Sequence, residues 1–217
     1  MKYIYISAML LAPAMALAQQ PHTPFLPHPE GKHSGNVVAT STAPAARAKS
    51  LDYYTEEFTS SLNGWTVVND LGNLDWTWTD VGPGTTTSTY PVPPLGTTTG
   101  GWAIIDDDFL GQNGTETNTW LISPVIDLSL APQYLKLEFE QYFQEFQNDT
   151  TYVGITVDGG LNWNQIAIND DVGRDGRPNP ELIDLNISDW VALGPSTVQI
   201  GFRYSAIWDY GWQVDNV

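Results

Sequence analysis

The sequence predicts an all-β fold, a sandwich of two antiparallel sheets, on three observations. The first is the run Asn118 to Leu128, Asn-Thr-Trp-Leu-Ile-Ser-Pro-Val-Ile-Asp-Leu, apolar almost without alternation and punctuated once by Pro124. Such a run of β-branched and aromatic residues, too short for a helix, reads as a strand covered on both faces. A strand covered on both faces needs two layers. The second is the series of short strand-like segments around it, separated by Gly, Asn, Asp and Thr turns. The third is the lack of any helix-period segment of useful length, apart from a short turn near Ser188 to Leu193. Proline brings no ladder N–H, so the central run should break at Pro124 into two short pieces.

The chain divides into three parts. Residues 1–18 read as a secretory signal peptide: Lys2, an apolar stretch from Tyr3 to Leu17, and Ala16-Leu17-Ala18 as a small-residue cleavage site. Residues 19–50, rich in Pro, Ala, Ser, Thr and His without periodicity, read as a disordered linker. Residues 51–217 are long enough for one domain with a sizeable aromatic core. No segment after the leader approaches the ~18–20 apolar residues of a membrane helix, so no membrane insertion is expected after signal cleavage. The expected location is secreted or at the cell surface.

Composition excludes several chemistries. All three histidines (His22, His28, His33) precede residue 51, and the chain has no cysteine. The domain therefore has no Ser-His-Asp or Cys-His mechanism and no thiolate or imidazole zinc site. The linker histidines read as part of a spacer, with metal binding the alternative. From Leu51 onward four basic residues (Lys136, Arg174, Arg177, Arg203) stand against 24 acidic ones, a net charge of −20. That field repels nucleic acid and favours hard, oxygen-seeking cations, above all calcium, among the carboxylates.

Taken in order, Tyr53 to Phe58 is expected as the first strand, Asn63-Gly64 as a turn, and Trp65 to Asn69 as the second strand. The Asn69 to Asp75 loop sets Asn69, Asp70, Asn73 and Asp75 around Gly72, a spacing that can wrap a cation or form a plain Asx-rich turn. Asp75 to Thr79 alternates and puts Trp76 and Trp78 on one face, either core or a platform for a sugar ring; their size favours core. Residues 82–100 form a Gly/Pro/Thr loop with little to pack. Gly101 to Ile105 is a strand that runs into Asp106-Asp107-Asp108, whose charges repel unless solvated or bridged by a cation. Tyr134 to Phe143 is an amphipathic strand with Leu135, Leu137 and Phe139 inward and Lys136, Glu138 and Glu140 outward. A glycosidase needs two flanking carboxylates, but the outward placement of Glu138 and Glu140 argues for a solvated face. Thr151 to Asp158 and Trp163 to Ile168 make a hairpin. Its turn, Thr156-Val-Asp158-Gly-Gly-Leu-Asn162-Trp163, resembles the structural Asp-box. Asn169 to Pro180 is a polar loop, and strands at Glu181 to Ile187, Ser196 to Tyr204 and Tyr210 to Val217 complete the inventory. Sequons stand at Asn113, Asn148 and Asn186.

The ordered set Phe58, Gly64-Trp65, Asn69-Asp-x-Gly, Trp76, Asn118-Thr-Trp-Leu-Ile-Ser-Pro, Asp158-Gly-Gly-x-Asn-Trp, Phe202 and Val214-Asp-Asn-Val resembles the MAM-like family. The likeness is greatest to bacterial choice-of-anchor J domains and the cleaved adhesin domains of gingipains. It implies a jelly-roll β-sandwich with bound calcium, used as an adhesion module on secreted or surface proteins. Carried over, the cation ligands are Glu56, Asn69, Asp70, Asn73, Asp75 and Asp215, with Glu56 and Asp215 brought together on adjacent first and last strands. Thr59, Leu71 and Asn73 stand where the family more often has acids, so one cation position is expected to be weak or empty. The family also continues past its Asp-Asn-Val, which implies a further domain or anchor segment beyond Val217.

The expected function is a non-catalytic, calcium-stabilised adhesion or binding module that takes an extracellular protein or glycan. The alternative is a carbohydrate-binding accessory domain of a secreted hydrolase, using Trp76, Trp78, Trp208, Tyr210 and Trp212 as a ligand platform. A plain structural spacer is the third reading, and fold analogy does not choose among the three.

Overall fold

The computed structural model describes residues 52–84, 90–97, 100–110, 116–130, 134–147, 149–191 and 197–217. The expected signal peptide, the linker with its histidines, and Asn113 and Asn148 lie outside them. Among the described residues, strands form two antiparallel sheets, a jelly-roll β-sandwich. One sheet takes β1 (Thr66–Leu71), β4 (Thr117–Ile122), β10 (Thr197–Ala206), β7 (Thr150–Thr156) and β8 (Asn164–Ile168) in that order, with β5 (Ile126–Asp127) also on β10. The other takes β2 (Thr77–Thr79), β3 (Trp102–Asp106), β11 (Gly211–Asp215), β6 (Lys136–Gln144) and β9 (Glu181–Asn186).

The central run behaves as its composition requires. It breaks between Ile122 and Ile126, around Pro124. At the break Ser123 replaces lost ladder bonds: its N–H donates to Ile200 O (2.9 Å), and its hydroxyl accepts Ile200 N–H (2.8 Å). β6 alternates as expected, Leu137 and Phe139 buried, Lys136 and Glu138 exposed. The hairpin turn is locked by Asp158, which accepts Asn162 N–H (2.9 Å) and the Thr156 hydroxyl (2.9 Å). Trp163 then packs on Trp120 at 4.7 Å. Gly201 allows this, because a Cβ there would come within 2.7 Å of the Trp163 ring.

Three expectations change. Tyr53 to Phe58 is no regular strand: Glu56 and Val217 exchange one pair of backbone hydrogen bonds (2.8 Å each), and Phe58 then turns to φ 40°. The stretch Tyr90 to Thr97 packs rather than hangs free. Leu95 is buried with Trp102, Ile104 and Tyr142 on the outer face of the second sheet. Gln213 ties it down, accepting Leu95 N–H (2.8 Å) and donating to Pro93 O (2.9 Å). Asp107 and Asp108 do not simply trail off the strand but open the short helix α1 (Asp107–Leu110), Asp107 buried and Asp108 partly so.

The two sheets meet on an aromatic seam. Phe202 of β10 stacks on Trp65 (5.7 Å) and meets Phe139 (5.0 Å) and Trp212 (5.5 Å) of the facing sheet edge-on. Beside it Gln141, wholly buried, accepts the Trp212 indole N–H (2.8 Å) and donates to Asn169 (2.7 Å) and Glu181 (2.8 Å). A buried amide placed this way is satisfied and helps fix how the sheets meet. Phe202→Ala should lower unfolding free energy by about 3–5 kcal/mol. Denaturant titration checks it, and a loss no larger than that of an ordinary surface substitution would contradict the seam's role.

Candidate functional site

The expected ligand residues fall at opposite ends of the sandwich. Register places Leu71 opposite Asn118 and Asn118 opposite Ser205, so the Asn69 to Asp75 loop lies at the end where β10 turns into β11. Asp215 closes β11 at the other end, roughly 13 Å along the strand. The two do not form one site. The loop also closes on itself, with Asn69 Nδ2 donating to Asp75 Oδ1 (2.7 Å) and Leu74 O (3.0 Å). Asn69, Asp70, Asn73 and Asp75 are all exposed.

At the Asp215 end, Glu56 does not pair with Asp215. Its Oε1 accepts Phe58 N–H (2.7 Å) and the Asn63 amide (2.6 Å). The acids whose charges bear on Asp215 are Glu140, opposite it in the ladder, and Glu57. Asp215 is wholly buried; its Oδ2 accepts the Thr97 hydroxyl (2.5 Å), and its Oδ1 has no partner. Burial, opposed by the Thr97 hydroxyl and the Asn216 backbone N–H and reinforced by Glu140 and Glu57, pushes Asp215 up to about 6. Its unpartnered oxygen among further carboxylates is the donor chemistry that suits a hard cation. Glu57, Glu140 and Thr97 were missed by the sequence pattern because residues distant in the chain bring them there. An apolar cavity opens beside the Glu56–Val217 pair, lined in part by Tyr54, Leu137, Ile155 and Ile200.

The expected aromatic platform is corrected in the same way. Trp76 and Trp212 cross edge-to-face at 5.4 Å inside the core, Tyr210 is buried, and Trp78 donates to Phe58 O (2.5 Å) against the core. Their alternation faces the sandwich interior, where large aromatics bury most surface. Trp208, partly buried like Trp78, does not pack on that core; it sits in the β10–β11 turn with φ 51°. It crosses Phe146 at 5.4 Å, and the Arg174 guanidinium lies 4.3 Å from the Phe146 ring centre. Exposed Phe109 and Ile207 flank the same end.

Beneath this rim lies a second acidic group. Asp209 is buried and fully engaged by backbone: Phe146 and Tyr210 N–H on Oδ1, Gln147 N–H on Oδ2 (2.8 Å). Asp107, wholly buried, accepts Asp209 N–H on Oδ2 (3.0 Å). Burial, then the charge of Asp209, pushes Asp107 up to about 6. Burial and the carboxylates of Asp209 and Glu145 raise Asp149 well above the usual range. Among the described residues no three His, Cys, Asp or Glu side chains make a ready-made cation cage, and no helix is long and apolar enough to cross a membrane.

Comparison with known proteins finds no matching protein-family model and no matching curated protein. Solved structures do match in shape. One is the K3 cleaved adhesin domain of Lys-gingipain from Porphyromonas gingivalis, 16% identical, covering 75% of this chain and 95% of that one, TM-score 0.49. Another is TmCBM61, solved in complex with β-1,4-galactotriose, 12% identical, covering 77% and 96%, TM-score 0.46. A third is the family 11 carbohydrate-binding module of the cellulase Lic26A-Cel5E of Clostridium thermocellum, 12% identical, covering 77% and 94%, TM-score 0.41. Likeness at these values does not say what this chain binds.

The raised carboxyls give a pH signature. Asp107 and Asp215 hold protons in the native state that the unfolded chain releases at lower pH. Their stabilisation is complete below the ordinary aspartate range and is lost as pH rises through about 6. In chelator, Tm should fall across that window, and Asp107→Asn with Asp215→Asn should flatten the fall. A double variant that keeps the full fall would contradict this reading.

Proposed function

We propose that this chain is a non-catalytic binding module, exported to the surroundings or surface of its cell, and calcium-stabilised in the manner of MAM-like domains. It engages a glycan through the end that carries Trp208. The observation behind the reading is the aromatic rim there: Trp208 crossed on Phe146, Arg174 beside it, and Phe109 68% exposed. Half-exposed aromatic faces beside polar groups suit the apolar face and hydroxyls of a sugar ring. Glu138 and Glu140 support no hydrolytic role: Glu138 pairs with Lys136 (2.6 Å) and Glu140 accepts from Asn216 (2.7 Å).

The calcium part rests on Asp215, whose Oδ1 is buried without a partner, with Glu140 and Glu57 acting on it. Asp215 and Glu140 would hold the ion, with Glu57 adding charge. Calcium would supply the positive charge that the nearby protein groups lack.

Two outcomes test the proposal. Trp208→Ala should weaken binding to the best ligand of a glycan array about tenfold or more, with melting unchanged, by analogy with the loss of an aromatic hot spot. Unchanged binding would remove Trp208 from the site. Calcium at a hundredfold excess over its dissociation constant should add about 2.7 kcal/mol of stability. Asp215→Asn should remove the share of that gain contributed by the Asp215 site, and a melt indifferent to calcium would overturn the proposal.

A further inference from the structure

We propose that Asp107, Asp149 and Tyr204 form a second divalent-cation site, under the β10–β11 turn and separate from Asp215. The three groups come from three elements, the start of α1, the residue before β7, and β10, and both acids act on the Tyr204 hydroxyl. Tyr204 is wholly buried; its hydroxyl makes no hydrogen bond of normal geometry but lies close to the Asp149 carboxyl, and Asp107 and Asp209 also act on it electrostatically. Asp107 is equally buried, with Oδ1 unpartnered. Both carboxylate oxygens of Asp149 are also buried, with no hydrogen bond of normal geometry and with the Asp209 carboxyl close by.

A buried polar atom left without a partner costs about 1–3 kcal/mol, more when charged. Four such atoms at one place call for something to satisfy them. Protein cations do not. Arg174 lies on Phe146, and Arg203 lies between Trp120 and Tyr152 while donating to Asn118. Lys136 pairs with Glu138 and Asp184, and Arg177 with Asp171 and Glu181. Those four are the whole basic complement of the domain.

Asp209 is not a ligand, because backbone amides take its oxygens; it forms the wall that holds the turn against Phe146 and Gln147. Two carboxylates and a phenol, completed by water, suit a hard divalent ion of the calcium class. Such an ion would tie the segment before β7 and α1 to the base of the turn that presents Trp208. The competing occupant is a proton shared between Asp149 and Asp209.

Calorimetric titration of calcium, and separately magnesium, into the chelator-treated full chain at neutral pH tests this. Asp215→Asn should retain one calcium site. In that background Asp149→Asn or Asp107→Asn should weaken the remaining site about tenfold or more, in the range that loss of groups at a metal centre produces. Tyr204→Phe, which keeps the packing, should weaken it several-fold with the near-ultraviolet dichroism unchanged, and it serves if either Asn variant fails to fold. The proposal is overturned if Asp215→Asn abolishes all binding up to about 10 mM, above the ~10⁻⁴–10⁻³ M range of extracellular calcium modules. It is equally overturned if the substitutions leave affinity unchanged, which would assign the oxygens to a proton.

Discussion

The constraint that shapes this domain is a shortage of donors for its buried carboxylates. Asp107, Asp209 and Asp215 are all nearly inaccessible, in a domain with four basic residues, none of which pairs with these acids. An ionised carboxylate removed from water is costly unless hydrogen-bonded or paired. Asp209 meets the requirement with three backbone amides. Asp107 and Asp215 each meet half of it, one oxygen bonded and the other not. The difference separates a structural acid from a candidate ligand.

The sandwich makes this arrangement possible because its middle is settled. The aromatic seam around Phe202 and the closed amide network of Gln141 and Asn169 satisfy the interior without charge. Unmet acids are pushed to the ends of strands: Asp215 at the finish of β11, Asp107 just past β3, Asp149 just before β7. Strand ends are also where loops carry exposed aromatics such as Trp208 and Phe109. On the proposals above, charge neutralisation and ligand contact would share the turn end, while the Asp215 end stays next to the Glu56–Val217 pair.

Features set by local chemistry were legible in the sequence. Pro124 ended β4 through its missing N–H, the alternation of Leu137 and Phe139 with Lys136 and Glu138 gave the inward face of β6, and Asp158 closed its own turn. Features set by distant partners were not. Asp107 meets Asp209 102 residues away, and Gln213 holds Leu95 across 118. The positive φ of Phe58 ends the expected first strand just after the carboxylate of Glu56 has been claimed by Phe58 N–H and Asn63, leaving Glu57 to act on Asp215. Trp76 and Trp212 could be read as core or platform from alternation alone; only the facing sheet decides.

The most direct measurement is a crystal structure of the chain grown in calcium, with anomalous differences recorded. The expected result is two peaks at calcium–oxygen distances of about 2.3–2.6 Å, one on Asp215 and one among Asp107, Asp149 and Tyr204. Maps with no anomalous peak at either place, and with Asp149 hydrogen-bonded to Asp209 through a shared proton, would contradict the view that cations complete this fold.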